Sequence, residues 1–153
     1  MSKDTCCKAA KIESIDYIVY GEGEVTFPEL LDWLSGDQDI KSLSKIRGLL
    51  YRHKGKIIQT EERTKLKELN SIPYPMFNDL NLELYDQIML PIWGSRGCIN
   101  KCSFCSEKNF YKQYKCRSGK NVYEEIKHHF ETTGCNTFSF VDSLINGNMK
   151  ELN

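Results

Sequence analysis

Residues 88–105 read Ile-Met-Leu-Pro-Ile-Trp-Gly-Ser-Arg-Gly-Cys-Ile-Asn-Lys-Cys-Ser-Phe-Cys, and they give the strongest indication of fold class in the sequence. Residues 88–94 are mostly apolar and predict a buried strand, in which Pro91 favours an edge position or the start of the strand. The strand runs directly into a loop that carries Cys98, Cys102 and Cys105. Three thiols separated by three and then two residues can converge on one small inorganic group if the loop curls around it.

The number of cysteines in this loop restricts the kind of metal site. A structural zinc ion takes four protein ligands, and the iron–sulfur clusters of electron carriers usually take four cysteines. The loop supplies three, so a 4Fe–4S cluster held there would keep one iron open for a substrate or a cofactor. The alternative is a structural zinc site completed by Cys116 or by a histidine. The cysteines outside the loop are expected to be free thiols: Cys6, Cys7, Cys116 and Cys135.

A helix and another strand are predicted after the cysteine loop. Residues 121–133 have helical periodicity, and Gly134 is a typical helix terminator. The residues expected on the inward face of this helix are Val122, Ile126, Phe130 and His129. Residues 137–141 predict the next strand. The order strand, loop, helix, strand is a βαβ unit, which indicates parallel strands in an α/β fold.

The first part of the chain is predicted to contain a strand, a helix and a hairpin. Residues 15–20 are rich in β-branched and aromatic types and predict a short, buried strand. Thr26 is expected to begin a helix, with its hydroxyl and Glu29 forming a capping box. Residues 48–60 predict a hairpin that turns at residues 53–55. The apolar residues expected on one face of the helix are Phe27, Leu30, Leu31 and Leu34.

The segment between the hairpin and the cysteine-bearing part, residues 61–85, is predicted to have little regular structure. The charged run at residues 61–68 indicates a solvated linker or a short helix. Residues 71–77 are expected to be extended, because each proline keeps its predecessor out of the helical region. A boundary is predicted near residue 85.

Composition excludes several classes of protein. Of 153 residues, 40% are hydrophobic and 27% are charged, which indicates a globular chain rather than a disordered one. The 21 basic and 21 acidic residues cancel, so there is no overall charge signal for nucleic acid or for an anionic membrane. No apolar run approaches the roughly 18 residues of a membrane span, and the first residues lack a secretory signal. The sequence therefore predicts a cytoplasmic location, in which seven cysteines favour metal binding or catalysis over disulfides.

The spacing Cys98-x3-Cys102-x2-Cys105, with aromatic Phe104 just before the last cysteine, resembles the signature of the radical S-adenosylmethionine superfamily. Its position after a strand suits the rule that barrel active sites lie at the carboxyl ends of strands. Four further strings resemble the subgroup that has a cobalamin-binding domain: Gly21-Glu22-Gly23-Glu24, Ile72-Pro73-Tyr74-Pro75, Arg117-Ser118 and Phe140-Val141-Asp142-Ser143.

The resemblance implies a cofactor set and roles for particular residues. Three cysteines (98, 102 and 105) would bind a 4Fe–4S cluster, and S-adenosylmethionine would chelate the open iron through its methionyl amino and carboxylate groups. Phe104 would pack near the adenine, and Asp142 and Ser143 would lie where the family holds the methionyl amine. An electron from the reduced cluster would cleave S-adenosylmethionine to methionine and a 5′-deoxyadenosyl radical, with ferredoxin or flavodoxin as the usual reducing partner.

The resemblance also implies a domain organisation. Residues 1–24 would be the remnant of an N-terminal, cobalamin-type α/β domain, and residues 25–87 a helix and β-hairpin linker. Residues 88–153 would start a partial (βα)6 barrel, which at roughly 30 residues per βα unit holds about two units and is therefore truncated. No Asp-x-His-x-x-Gly string occurs, so cobalamin would be bound by a full-length parent and not by this chain alone.

Several functions remain open from the sequence. The parent reaction would be a radical reaction on an unknown small-molecule substrate, and analogy with cobalamin-linked relatives indicates methyl transfer or ring rearrangement. A second class is a non-enzymatic module that binds zinc or an iron–sulfur cluster. A third is an inactive remnant. Catalytic residues beyond the cofactor contacts are not assigned.

Overall fold

The structure, a computed structural model, describes residues 3–36, 38–85 and 88–152. It divides into two compact units, Met1–Leu66 and Lys67–Asn153. The elements of unit 1 are α1 (Lys3–Ala9), β1 (Tyr17–Val19), α2 (Thr26–Ser35), α3 (Ile40–Leu43), β2 (Leu49–His53) and β3 (Lys56–Gln59). The elements of unit 2 are β4 (Leu90–Ile92), β5 (Ser95–Arg96), α4 (Glu107–Phe110), β6 (Lys115–Cys116), α5 (Gly119–Thr133), β7 (Phe138–Phe140) and α6 (Met149–Leu152). Short 3₁₀ turns cover Leu69–Ser71, Leu82–Leu84 and Ile145–Gly147.

Unit 1 is built on an antiparallel sheet in the order β1–β2–β3. The hairpin predicted at residues 48–60 is confirmed: His53 pairs with Lys56, and the two residues between them, Lys54 and Gly55, have φ angles of 48° and 75°. Positive φ at both positions is the type I′ geometry, whose twist matches that of the flanking strands. The predicted strand at residues 15–20 is confirmed as β1, which pairs with β2, so the first strand and the hairpin share one sheet.

Helix α2 forms where predicted, but the expected capping box is wrong. The N-cap residue is Val25, and no side chain caps the helix. Thr26 is fully buried, and its hydroxyl donates to the carbonyl oxygen of Arg47 at 2.8 Å while accepting from Arg63 Nε at 2.8 Å. Glu29 forms an ion pair with Arg63. The two residues therefore join the helix to distant segments instead of closing its own first turn.

The predicted apolar face of α2 is wrong in part. Leu30 is buried and Leu34 is half-buried, as expected, whereas Phe27 and Leu31 are exposed. The face packs with Leu43, Leu49, Ile46 and Tyr51 in one apolar cluster, with Trp33 and Leu34 at its margin. The inward stripe thus runs through residues 26, 30, 33 and 34, a helical spacing shifted from the predicted one.

Unit 2 contains the predicted βαβ unit. Strands β4 and β7 are parallel, with Leu90 opposite Phe138 and Ile92 opposite Phe140, and α5 lies between them in sequence. Ser118 caps α5 by accepting from the N–H of Asn121 at 3.2 Å, and Gly134 ends it with φ of 71°. Among the described residues this sheet has two strands, so Pro91 lies in a strand with one neighbour, as predicted for an edge position.

The predicted inward face of α5 is wrong in part. Its buried residues are Glu125 and His129, whereas Val122 and Ile126 are half-buried and Phe130 is 53% exposed. His129 was among the residues expected to face inward, and it does. The charged run at residues 61–68 forms no helix, and residue 87, a predicted domain limit, lies outside the described residues.

Candidate functional site

The cysteine loop has a base that the sequence did not indicate. Strands β5 and β6 pair antiparallel, with Ser95 opposite Cys116 and Arg96 opposite Lys115. They bring together the two ends of residues 97–114, which hold all three loop cysteines. A loop closed at its base loses less conformational entropy when it orders around a ligand, because its ends are already fixed.

Gly97 is required where the loop leaves β5. Its φ is +78°, and a Cβ at this position would lie 2.6 Å from the carbonyl oxygen of Gln113 and 3.1 Å from the Cβ of Tyr111. Only glycine combines a left-handed backbone with such a close approach. The position of Cys98, the next residue, therefore depends on residue 97 being a glycine, which has no Cβ.

The three loop cysteines are free thiols with access to solvent. Cys102 is exposed, while Cys98 and Cys105 are half-buried. The N–H of Cys105 donates to the carbonyl oxygen of Cys102 at 3.2 Å, which makes a turn between these two residues, and the N–H of Asn100 approaches Cys98 Sγ at 3.4 Å. The loop therefore curls.

The loop does not assemble a finished metal site in this structure. Within residues 3–36, 38–85 and 88–152, no group of three Cys, His, Asp or Glu side chains is arranged to hold a metal ion. The donor set nevertheless fits a three-thiolate cluster in kind and in number, because all three thiols are accessible and none forms a disulfide. The final approach of the three sulfur atoms would accompany metal binding, as is usual where binding is coupled to ordering.

Phe104 and Ser143, two of the residues predicted to contact S-adenosylmethionine, are both exposed. Phe104 is 91% exposed, the largest exposed fraction among the large hydrophobic side chains that the structure describes. Phe104 directly precedes Cys105 in the sequence, and Ser143 lies beyond the end of β7.

Asp142, the third predicted contact residue, binds the end of β4. Its Oδ2 accepts from the N–H of Gly94 at 3.1 Å, and its Oδ1 accepts a short hydrogen bond from the hydroxyl of Ser95. The Ser95 hydroxyl also lies 3.2 Å from the carbonyl oxygen of Leu144. Asp142 thus links the ends of the two parallel strands, and each carboxylate oxygen keeps a further acceptor position.

A buried ionic group on the other side of Gly94 is the feature that the sequence did not reveal. Arg117 forms an ion pair with Glu125, and the two side chains are 10% and 3% exposed. Arg117 Nη1 donates to the carbonyl oxygen of Trp93 at 2.8 Å, and Nε donates to Asn121 Oδ1 at 2.7 Å. The signal available in the sequence was a glutamate placed four residues before His129 on the inward stripe of α5.

His129 extends this group into the interior of unit 2. It is 1% exposed, and its Nε2 lies 3.4 Å from Glu125 Oε1, although the angles are not those of a hydrogen bond. Its ring is edge-on to Phe77, with centroids 5.0 Å apart. Its neighbour His128 is exposed and forms a tilted ring contact with Tyr74.

Three of the cysteines outside the loop are buried or hydrogen-bonded. Cys6 and Cys135 are buried, and burial raises the pKa of the Cys6 thiol. Cys116 Sγ accepts from Asn148 Nδ2 at 3.3 Å. It lines a cleft of about 230 Å³ beside Gly94, whose other walls include Tyr114, Tyr123 and Phe140. The alternative of a zinc site completed by Cys116 or by a histidine stays a prediction.

Comparisons with known proteins identify relatives that this chain matches over part of their length. No protein-family model matches the sequence. An uncharacterised methyltransferase of Pyrococcus horikoshii is 34% identical over 140 residues, which are 89% of this chain and 30% of that protein. Anaerobic magnesium-protoporphyrin IX monomethyl ester cyclase of Synechocystis is 30% identical over 146 residues, which are 86% of this chain and 26% of the cyclase.

Solved structures agree in fold. The radical S-adenosylmethionine methyltransferase TsrM of Kitasatospora setae, with cobalamin and a [4Fe-4S] cluster bound, has a TM-score of 0.62 at 21% identity, over 86% of this chain and 27% of TsrM. The cobalamin-dependent S-adenosylmethionine radical enzyme OxsB has a TM-score of 0.66 at 18% identity, over 96% of this chain and 21% of OxsB. The relatives matched in sequence include a methyltransferase and cyclases, and the solved structures that share the fold are radical S-adenosylmethionine enzymes.

The chain spans less than a third of the curated relatives it matches. These relatives are enzymes, and the solved structures confirm in fold the predicted resemblance to the cobalamin-dependent group. None of the helices in the described ranges combines the length and the apolarity that crossing a bilayer requires.

Proposed function

We propose that this chain carries the cluster-binding segment of a radical S-adenosylmethionine enzyme, with Cys98, Cys102 and Cys105 as the ligands of a 4Fe–4S cluster. The observation that carries the proposal is the loop itself. It holds three free, accessible thiols, and its base is closed by β5 and β6 at the carboxyl end of a strand of a βαβ unit. In a relative of radical S-adenosylmethionine enzymes, a loop of this kind would bind the cluster.

The residues of the loop would hold and expose the cluster. Three thiolates would bind three of the irons, and the fourth iron would remain available to the methionyl amino and carboxylate groups of S-adenosylmethionine. When bound, the reduced cluster supplies the electron that cleaves S-adenosylmethionine to methionine and a 5′-deoxyadenosyl radical. The low burial of Cys102 leaves the loop free to close around the cluster without displacing a packed core.

Two neighbouring elements would contact S-adenosylmethionine. The exposed ring of Phe104 would cover the adenine, since an aromatic face gains by stacking once water is removed from it. Asp142 would accept from the methionyl ammonium group while it keeps its bonds to Gly94 and Ser95, because a carboxylate has acceptor positions to spare. Ser143 is adjacent and would contribute its hydroxyl.

We also propose the domain organisation and the reaction class. Residues 88–153 would begin a (βα)6 barrel, residues 25–87 would link it to a cobalamin-type domain, and residues 1–24 would be the last part of that domain. Methyl transfer or ring rearrangement would be the reaction of the complete protein, with a ferredoxin or flavodoxin as electron donor and cobalamin bound outside this chain. The substrate would be a small molecule.

Anaerobic reconstitution with iron and sulfide tests the proposal. The full chain is expected to take up a 4Fe–4S cluster, visible in its absorbance, and the electron paramagnetic resonance spectrum of the reduced form is expected to change when S-adenosylmethionine is added. Cys102→Ala should lose both iron and response, whereas Cys116→Ala, outside the loop, should retain them. A colourless protein that holds zinc, or a Cys102→Ala variant with full iron content and cofactor response, would refute the proposal.

A further inference from the structure

Gly94 is the point at which β4 passes into β5 and the cysteine loop, and it is held from two sides. Its N–H donates to Asp142 Oδ2 at 3.1 Å, and its carbonyl oxygen accepts from the N–H of Arg117 at 2.8 Å. The carbonyl oxygen of Trp93, one residue earlier, accepts from the guanidinium of Arg117 at 2.8 Å. The carboxylate of Asp142 and the guanidinium of Arg117 thus bind the N–H and the carbonyl oxygen of the same peptide group, between Trp93 and Gly94, at the end of the strand.

Arg117 can bind this backbone only because its own orientation is fixed. Arg117 Nη1 donates to the carboxylate of Glu125, and Nε donates to Asn121 Oδ1 at 2.7 Å. Both acceptors lie on α5. The guanidinium also lies over the ring of Tyr74, with Cζ 5.7 Å from the ring centroid. A planar group with several donors in a fixed fork can meet all of these partners at once, which an ammonium group cannot do.

We infer that the Arg117–Glu125 pair is a positioning device, which fixes the end of β4 and so sets the orientation of the cysteine loop. Neither residue is a proposed ligand of the cluster. Arg117 acts through the backbone of Trp93 and Gly94, which lead by four residues to Cys98. The inference rests on the proposed function to the extent that the loop holds a cluster.

Stability alone gives a weak reason for such a pair. Taking two charges out of water is costly, and well-packed apolar residues of similar size often stabilise a fold as well or better. Apolar replacements would not donate to the carbonyl oxygen of Trp93. Removing both charges together therefore distinguishes an effect on the position of the strand end from an effect on the free energy of unfolding, because no unpaired charge is left buried.

The test compares the full chain with the double variant Arg117→Met/Glu125→Leu. Urea unfolding is expected to change little, while hydrogen exchange of residues 93–105 in the metal-free protein is expected to accelerate about tenfold or more, because a bond from a charged donor to the backbone is lost. The matched control is Lys120→Met/Glu124→Leu, which removes the same two charges at exposed positions of α5. Its exchange over residues 93–105 should equal that of the unaltered chain.

Arg117→Lys keeps the inference testable if the double variant fails to fold. It retains a cation beside Glu125 but cannot also reach Trp93 and Asn121, so the same local acceleration is expected. Unaltered exchange over residues 93–105 in Arg117→Lys, or in a folded double variant, overturns the inference.

Reconstituted protein supplies a second measurement that a purely structural role would not move. A folded Arg117→Lys variant should bind iron, but the change in its paramagnetic resonance spectrum on adding S-adenosylmethionine should be reduced or lost, because the loop is misplaced. A response equal to that of the unaltered chain overturns the inference. If the unaltered chain takes up no cluster, the proposed function fails by itself, and hydrogen exchange still decides whether the pair positions the loop.

Discussion

Replacing Gly97 by alanine tests how tightly the base of the cysteine loop is built. The backbone there has φ of +78°, and the added Cβ would lie 2.6 Å from the carbonyl oxygen of Gln113. A left-handed conformation costs a residue with a Cβ about 1–2 kcal/mol. Relieving the contact with a backbone atom adds about 1–3 kcal/mol, the usual cost of overpacking. We expect a loss of about 2–5 kcal/mol in the free energy of unfolding.

Gly134 provides a matched control within unit 2. Its φ is +71°, close to that of Gly97, but an added Cβ meets no heavy atom within 4 Å. Gly134→Ala should therefore show the backbone cost alone, about 1–2 kcal/mol. The difference between the two variants isolates the close approach at the loop base.

Urea unfolding followed by tryptophan fluorescence is a suitable assay. The chain has two tryptophans, one in each unit, so a Trp33→Phe background leaves Trp93 to report on unit 2 next to the loop. Equal losses for Gly97→Ala and Gly134→Ala would mean that the loop base yields freely, and the reasoning about Gly97 would be wrong.

Two more predictions follow from burial. Glu125→Gln leaves the Arg117 guanidinium buried without its anion and should lower the free energy of unfolding by about 3–5 kcal/mol. Glu124→Gln, at an exposed position, should change the free energy of unfolding by less than about 0.5 kcal/mol. Urea unfolding measures both changes, and similar values for the two variants would contradict the burial argument. When the native, metal-free chain is alkylated and analysed by mass spectrometry, Cys102 should react first and Cys6 last. Cys102 is exposed, whereas Cys6 is buried and burial raises the pKa of its thiol. Rapid labelling of Cys6 would contradict this prediction and show that unit 1 opens to solvent.

Local signals were predicted well from the sequence. The hairpin at residues 48–60 depends on a two-residue turn and on the strands beside it, which lie close together along the chain. The end of α5 at Gly134 depends on one residue that tolerates a positive φ. The succession of strand, helix and strand after residue 88 was enough to predict parallel pairing, because a parallel connection needs such a crossover.

Long-range partners account for the expectations that were wrong. Thr26 was expected to cap its own helix, but its hydroxyl binds Arg47 and Arg63, which the fold brings to it across 21 and 37 residues. On α5, apolar periodicity placed Phe130 inside, whereas Glu125 occupies the interior because Arg117 is there to neutralise it. A pattern of hydrophobicity counts a glutamate as polar wherever it stands, and only a partner can make its burial favourable.

The candidate site divides in the same way. Which atoms could bind a cluster was predictable from the sequence, because Cys98, Cys102 and Cys105 lie in one short segment with a fixed number and spacing. The tertiary structure decided how that segment is held: β6 closes the loop, Asp142 and Arg117 bind the end of β4 from two sides, and Gly97 lets two backbones approach. These contacts join residues up to 48 positions apart. Their geometry exists only once the chain has folded, since hydrogen bonds depend on distance and angle and neither is encoded in spacing along the sequence.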